Sequence, residues 1–176
     1  MNWDAIGAIS ETVGALAVVI SLIYLARQIQ HSTAAERSTA EQEIAGRLTN
    51  LFMGAGASEL GYIFHVGMKD FSSLEPEEQS KFVFFSGAWF RTIELAHMQF
   101  RKGNLDDKIW EGYENYLRMT LNSDTIQEYW KDRRVMFNPE FREFVDSIGQ
   151  TPGLITPSEM MYEIRKRQKD DDEVST

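Results

Sequence analysis

Two places in the chain carry residue types whose spacing can support chemistry. In Glu94-Leu-Ala-His97 a carboxylate and an imidazole stand three residues apart, hence on one face of a helix, at the spacing used by di-iron carboxylate bundles. Such a centre needs a second Glu-x-x-His and two further glutamates from facing helices. The only other histidines, His31 and His65, stand in no such pattern. Pairing of Glu94 with Arg91, or its use on a buried polar contact, explains the residues more simply, with His97 an ordinary helix residue. No metal ligand is assigned. The second place is Glu11, set beside a stripe of small residues, Gly7, Ser10, Gly14, Ala17 and Ser21, at helical spacings of three and four. A carboxylate among apolar residues is costly unless it is protonated, paired or turned to water, and a small-residue stripe lets a second backbone approach closely.

The remaining candidates are weaker. Trp89, Trp110 and Trp130 fall on expected inner faces, and Trp89 with Trp110 could line a pocket for a flat ligand, although core packing is the commoner use of such residues. Lys131-Asp132-Arg133-Arg134 and Arg165-Lys166-Arg167 are short basic clusters, read first as solvated helix faces. Asp170-Asp171-Asp172-Glu173 lacks the loop and glycine of a calcium site. Ser72 and Ser73 have no recognisable His–Asp partners, and no Gly-rich phosphate loop is present. No catalytic residue and no cofactor is therefore assigned.

The element that would position Glu11 is Ala5–Ala26, 22 residues of which 16 are apolar, with Glu11 as its one charge. As a helix it would reach roughly 33 Å, against about 30 Å of bilayer hydrocarbon. Trp3 before it and Tyr24 with Arg27 at its end suit the two headgroup levels. A signal peptide would need a basic leader, whereas this one is Met-Asn-Trp-Asp. The run is therefore expected to be a single transmembrane anchor spanning a lipid bilayer, rather than a leader or a buried core helix. Arg27 and Arg37 follow the span and no Lys or Arg precedes it, which places the C-terminal side in the cytoplasm. Glu11 would lie only about a turn and a half inside the interface. It would reach water there, or line a helix–helix seam or a pore.

After the anchor, residues 27–176 carry 18 Lys+Arg against 25 Asp+Glu, the other two acids being Asp4 and Glu11. An acidic body of this kind disfavours nucleic acid, whose binding depends on phosphate neutralisation. The chain has no cysteine, which removes disulfides and thiolate chemistry.

Helical signals fill the rest. From Ala15 to Ala45 there is neither Gly nor Pro, so the anchor is expected to continue as a stalk to about Phe52, with a weak point at His31-Ser32-Thr33. Ile44, Leu48, Leu51 and Phe52 would dock it, and Gly54-Ala-Gly56 would end it. Further helices are expected over 59–68 with Ser58 as N-cap, and from Pro76 to Lys102. In the second, Phe82, Phe85, Trp89, Ile93, Ala96 and Phe100 form one stripe, widened by Phe84, Ala88, Leu95 and Met98. A fourth helix starts at Asn104 or Asp106 and runs to about Leu121, with Ile109, Trp110, Tyr113, Tyr116 and Leu117 inward. A fifth begins near Asn122-Ser-Asp124 and carries Ile126, Tyr129, Trp130 and Val135. A sixth opens on Asn138-Pro139 and stops at Gly149. Ser158–Lys169 reads as a last amphipathic helix before a disordered acidic tail. The expectation is an all-α protein: anchor 1–30, stalk and Gly-rich linker 31–57, a domain of five or six helices over 58–149, and a terminal segment 150–176.

The LIYLARQI exit from the span, Glu94 with Gln99-Phe100-Arg101-Lys102-Gly103-Asn104-Leu105-Asp106, Trp110-Glu111-Gly112-Tyr113, and Trp130, Arg134, Phe137 and Pro139-Glu140-Phe141 together resemble an uncharacterised bacterial family. The resemblance implies one N-terminal transmembrane helix, a small all-helical cytoplasmic domain and a place in the bacterial inner membrane. It brings no activity or cofactor, and the family pattern does not require histidine at His97.

These readings lead to an expected non-enzymatic assembly or adaptor protein. It would form a homo-oligomer, or join another membrane protein, through Gly7, Ser10, Glu11, Gly14, Ala17 and Ser21. Two other classes stay open: an oligomeric pore or gating element with Glu11 toward its axis, and a ligand-binding sensor or enzyme with a pocket at Trp89 and Trp110.

Overall fold

In a computed structural model the backbone is described from Trp3 to Val174, and the side chains of Gly14 and of residues 16–168. The described residues are all-α. Seven α-helices run in order: α1 (Trp3–Gly56), α2 (Leu60–Lys69), α3 (Pro76–Arg101), α4 (Asp107–Leu121), α5 (Asp124–Arg133), α6 (Pro139–Ile148) and α7 (Pro157–Val174). Short 3-10 turns at Phe71–Ser73 and Arg134–Met136 lead into α3 and α6.

Their ends follow the local chemistry. The Glu75 N–H donates to the Glu78 carboxylate at 2.9 Å ahead of Pro76, fixing the start of α3. Asp106 accepts from the Lys108 N–H, Ser123 from Ile126 and Asn138 from Glu140, capping α4, α5 and α6. Gly103, at φ 74°, turns the chain out of α3 in a conformation that glycine tolerates best.

Helix α3 is the centre. Phe82, Phe85, Trp89, Phe90, Ile93 and Ala96 are buried along it, and α1, α2, α4 and α6 pack around it. Phe90 stacks at 5.1 Å on Trp130 and at 5.7 Å on Tyr129, tying α5 to the same core. Three expected positions differ. Phe84 is 78% exposed, Ala88 and Met98 also face outward, and Phe90 and His97 take inner places. The buried face of α3 is shifted around the helix without changing its central role. Ile109 and Val135 are likewise exposed, because α4 turns Trp110 inward and a 3-10 turn interrupts the helix after Arg133.

Helix α1 docks on the body through the expected stripe of Ile44, Leu48 and Leu51. Its C-terminal part belongs to the core: Ala40, Ile44 and Ala55 are buried, with Leu48 and Leu51 packed against it. Phe52 is only partly covered and meets Tyr116 edge-on at 5.8 Å. The helix runs through His31-Ser32-Thr33 without a break. Thr33 Oγ1 donates to the Ile29 carbonyl, so its hydroxyl is satisfied within the helix and does not compete with it. At the far end α7 continues through residues 170–174, where a disordered tail was expected.

Two features set the packing energy. Gly67 of α2 lies so close to α3 that a Cβ there would meet Phe82 Cδ2 at 2.5 Å and Leu74 Cδ1 at 2.8 Å. Inside α3, Ser86 Oγ and Trp89 Nε1 are buried without a hydrogen-bond partner, which is costly for any polar atom. Gly67→Ala is expected to destabilise the chain by about 1–3 kcal/mol through overpacking. Ser86→Ala, which removes an unsatisfied hydroxyl, is expected to leave stability unchanged or raise it by up to about 1 kcal/mol. Urea titration followed by tryptophan fluorescence measures both.

Candidate functional sites

The Glu94–His97 face resolves into two structural contacts. Glu94 is buried. Its Oε2 accepts from Arg91 Nη1 at 2.6 Å, and its Oε1 accepts from the Asn138 backbone N–H at 2.6 Å. Arg91 in turn donates to the Met136 carbonyl at 2.6 Å and lies 4.6 Å from the centre of the Phe137 ring. The carboxylate thus clasps α3 to the start of α6. One turn on, His97 stacks at 4.7 Å on Phe144 and lies near Trp110 and Phe141. Burial pushes the imidazole down from its ordinary value, and Arg101 adds to the effect against weaker opposition from Glu140, Glu114 and Glu94. An uncharged ring among aromatic neighbours suits this site. Among the described residues no cluster of three or more His, Asp or Glu can hold a metal ion.

Trp89, Trp110 and Trp130 are core residues. Trp89 packs on Phe90 and Tyr116, and Trp110 on Phe100, His97 and Phe144. Trp89 is 1% and Trp110 5% exposed, walled in by neighbours rather than open to a ligand. Of the basic clusters, Arg134 pairs with Asp146, and Arg133 lies over Tyr129. Ser72 and Ser73 are spent on a turn with Asp70. The acidic run 170–173 has side chains outside the described residues.

A polar cleft that the spacing of residues did not announce lies where α7 meets α2 and the N-terminus of α5. Its volume is about 380 Å³, and its lining includes His65, Lys69, Asp124, Ser158, Tyr162 and Glu163. Ser158, in the first turn of α7, is buried. Its hydroxyl lies 2.5 Å from the His65 carbonyl oxygen and 2.9 Å from His65 Nδ1. Asn122 holds the preceding loop, accepting from the Thr151 N–H at 2.8 Å and donating to the Thr151 and Leu154 carbonyls. The start of α7 did carry a local signal: Thr156 and Glu159 form a Thr-x-x-Glu capping box that begins the helix at Pro157 and puts Ser158 in its first turn. Burial lowers the His65 pKa, with Arg165 and then Lys69 adding to it.

The small-residue stripe divides. The side chains of Gly7, Ser10 and Glu11 lie outside the described residues. Gly14 has nothing within 4 Å of where a Cβ would stand, and Ser21 Oγ donates to the Ala17 carbonyl at 2.8 Å. From Leu16 to Thr39 every residue of α1 is exposed. That includes Leu16, Val18, Val19, Ile20, Leu22, Ile23, Leu25 and Ile29, each 51–66% exposed. Among the described residues no helix is long and apolar enough to cross a membrane, and the first part of Ala5–Ala26 is not among them.

No protein-family model, curated protein or solved structure matches the chain. The resemblance drawn from its sequence pattern therefore gains no family to support it.

Removal of the Glu94 carboxylate leaves the Asn138 N–H without its acceptor. Glu94→Ala is expected to cost about 1–3 kcal/mol and Glu94→Gln less, since the amide oxygen can still accept. Thermal unfolding of the two variants beside the parent chain checks the order.

Proposed function

We propose that the chain is a membrane-anchored assembly or adaptor protein. Its apolar run 5–26 would sit in the bacterial inner membrane and its helical body in the cytoplasm. Through the face of Gly7, Ser10, Glu11, Gly14, Ala17 and Ser21 it would self-associate or attach to a larger membrane complex.

One observation carries this reading: the exposed aliphatic side chains from Leu16 to Ile29 cover most of the circumference of α1, leaving Ala17 and Ser21 on the remaining side. A helix apolar over so much of its surface belongs in a core or in lipid. Covering eight such side chains is worth on the order of 10 kcal/mol. The Ser21–Ala17 bond supports the same environment, because it meets the need of the hydroxyl for a partner inside the helix. The open space at Gly14 leaves room for a second backbone. A ligand-binding or enzymatic role for Trp89 and Trp110 has less support, since both rings are enclosed by core neighbours.

The test uses the full chain in its own membranes. It is expected to resist extraction at alkaline pH, and Leu22→Lys combined with Ile23→Lys to release it. In mild detergent its native mass should be a multiple of 20.3 kDa or include foreign subunits, and Gly14→Leu should reduce the complex. Release of the parent chain by alkali would overturn the anchor. A bare monomer, or a Gly14→Leu complex of unchanged mass, would overturn association through that face.

A further inference from the structure

We propose that the cleft between α2, α7 and the N-terminus of α5 binds a small organic amine, seated on the Tyr162 ring and held by the carboxylates beside it. The proposal concerns the body and stands apart from the anchoring one.

The walls of the cleft are fixed before any ligand arrives. Ser123 donates to the Met68 carbonyl at 2.5 Å, which sets α5 against α2. Ser158 meets both the ring and the carbonyl of His65, which sets the first turn of α7 on the same helix. Asn122 holds the loop before α7. The space between these walls, about 380 Å³, lies within the range of small-molecule sites, roughly 300–1,000 Å³.

What first marks a cation site is the cation already seated there. Lys69, in the last turn of α2, places Nζ over the Tyr162 ring, 5.5 Å from its centre. That is within reach of a cation–π contact. Asp124, Glu159 and Glu163 line the same cleft, yet among the described residues no carboxylate comes within 4.0 Å of Lys69 Nζ. The acids keep oxygens open to a ligand. Asp124 accepts from Gln150 through Oδ1 only, and Glu159 accepts from the Thr156 N–H through Oε2 only. Ring and acceptor oxygens together are what an ammonium needs, the first for its charge and the second for its N–H donors.

Other ligand classes fit less well. Lys69 and the two helix N-termini would favour an anion, but Asp124 and Glu159 stand in the first turns of α5 and α7 and offset those ends. Among the lining side chains the three acids outnumber Lys69 and His65. A bare metal ion is disfavoured too, because no three of the described His, Asp and Glu side chains come together to hold one. An organic amine spreads its contacts over a longer body and can reach the ring and a carboxylate at once. Lys69 then acts as a tethered competitor, which the ligand ammonium displaces from the ring. Its removal should strengthen binding, and loss of the ring or of an acid should weaken it.

Met68 lines the cleft and serves as its reporter. The full chain in detergent, with carbon-13 on its methionine methyl groups, is titrated with butane-1,4-diamine at constant ionic strength. The Met68 signal is expected to shift to saturation below about 10 mM. Met53 and Met136 do not line the cleft, and their signals should stay in place. Lys69→Gln is expected to tighten the affinity by about 2–5-fold, and Tyr162→Leu and Glu163→Gln each to weaken it by about the same factor. The absence of a saturable Met68 shift would overturn the site, as would an equal shift with sodium in place of the diamine. So would an affinity unchanged in Tyr162→Leu or in Glu163→Gln, or one unchanged or weakened in Lys69→Gln.

Discussion

The seating of the last four turns of α1 against α3 is the constraint from which the rest of the arrangement follows. Ala40, Ile44, Leu48, Leu51 and Ala55 lie on one side of α1 at helical spacing, and their burial fixes both the rotation and the direction of everything before them. Helix α3 supplies the surface, and it can do so only because it is apolar over so much of its circumference. The other helices are arranged by what α1 leaves uncovered. α2 closes over Phe82 with Gly67 at the point of contact, α4 brings Trp110 and Leu117, and α5 and α6 bring Trp130 and Phe141. A change in the seat of α1 would therefore be felt in every layer.

Polar groups are used at the joints between layers rather than at their centres. Glu94 bonds across to Asn138 where α6 begins, Ser123 donates to the Met68 carbonyl where α5 meets α2, and Asn122 secures the loop before α7. Each is a side chain on one element meeting the backbone of another. A backbone partner is present whatever residue stands there, so such joints fix relative position without a matched side-chain pair. Ser86 and Trp89 are the exceptions, polar atoms enclosed in α3 with nothing to bond.

The elements themselves were legible in the sequence because their signals are local. Pro76 after Glu75, Asn138 before Pro139, and Gly103 and Gly149 past helix ends each act through the nearest few residues. The faces were less legible. Phe84 and Phe90 are both aromatic and sit in the same helix, and only the positions of α1 and α5 decide that the first is exposed and the second enclosed. The reading of Glu94 as a partner of Arg91 is met by the structure, while its second partner, an Asn138 N–H 44 residues on, is a tertiary fact without a local sign. The Ser158–His65 contact spans 93 residues and is hidden for the same reason. The N-terminal run is the reverse case. Its apolar composition is plain in the sequence, and its described part from Leu16 onward is exposed.

The unbroken backbone between that run and the body has a mechanical consequence. From Ala26 to Ala40 the helix spans about 21 Å, and with neither Gly nor Pro there it bends only gently. Body and N-terminal run then share one axis, and the segment between them works as a lever arm rather than a tether. A tilt of about 20° at the run would carry the far end of this arm sideways by roughly 7 Å. Whatever holds the first part of α1 would set not only where the helical body is found but which way it faces.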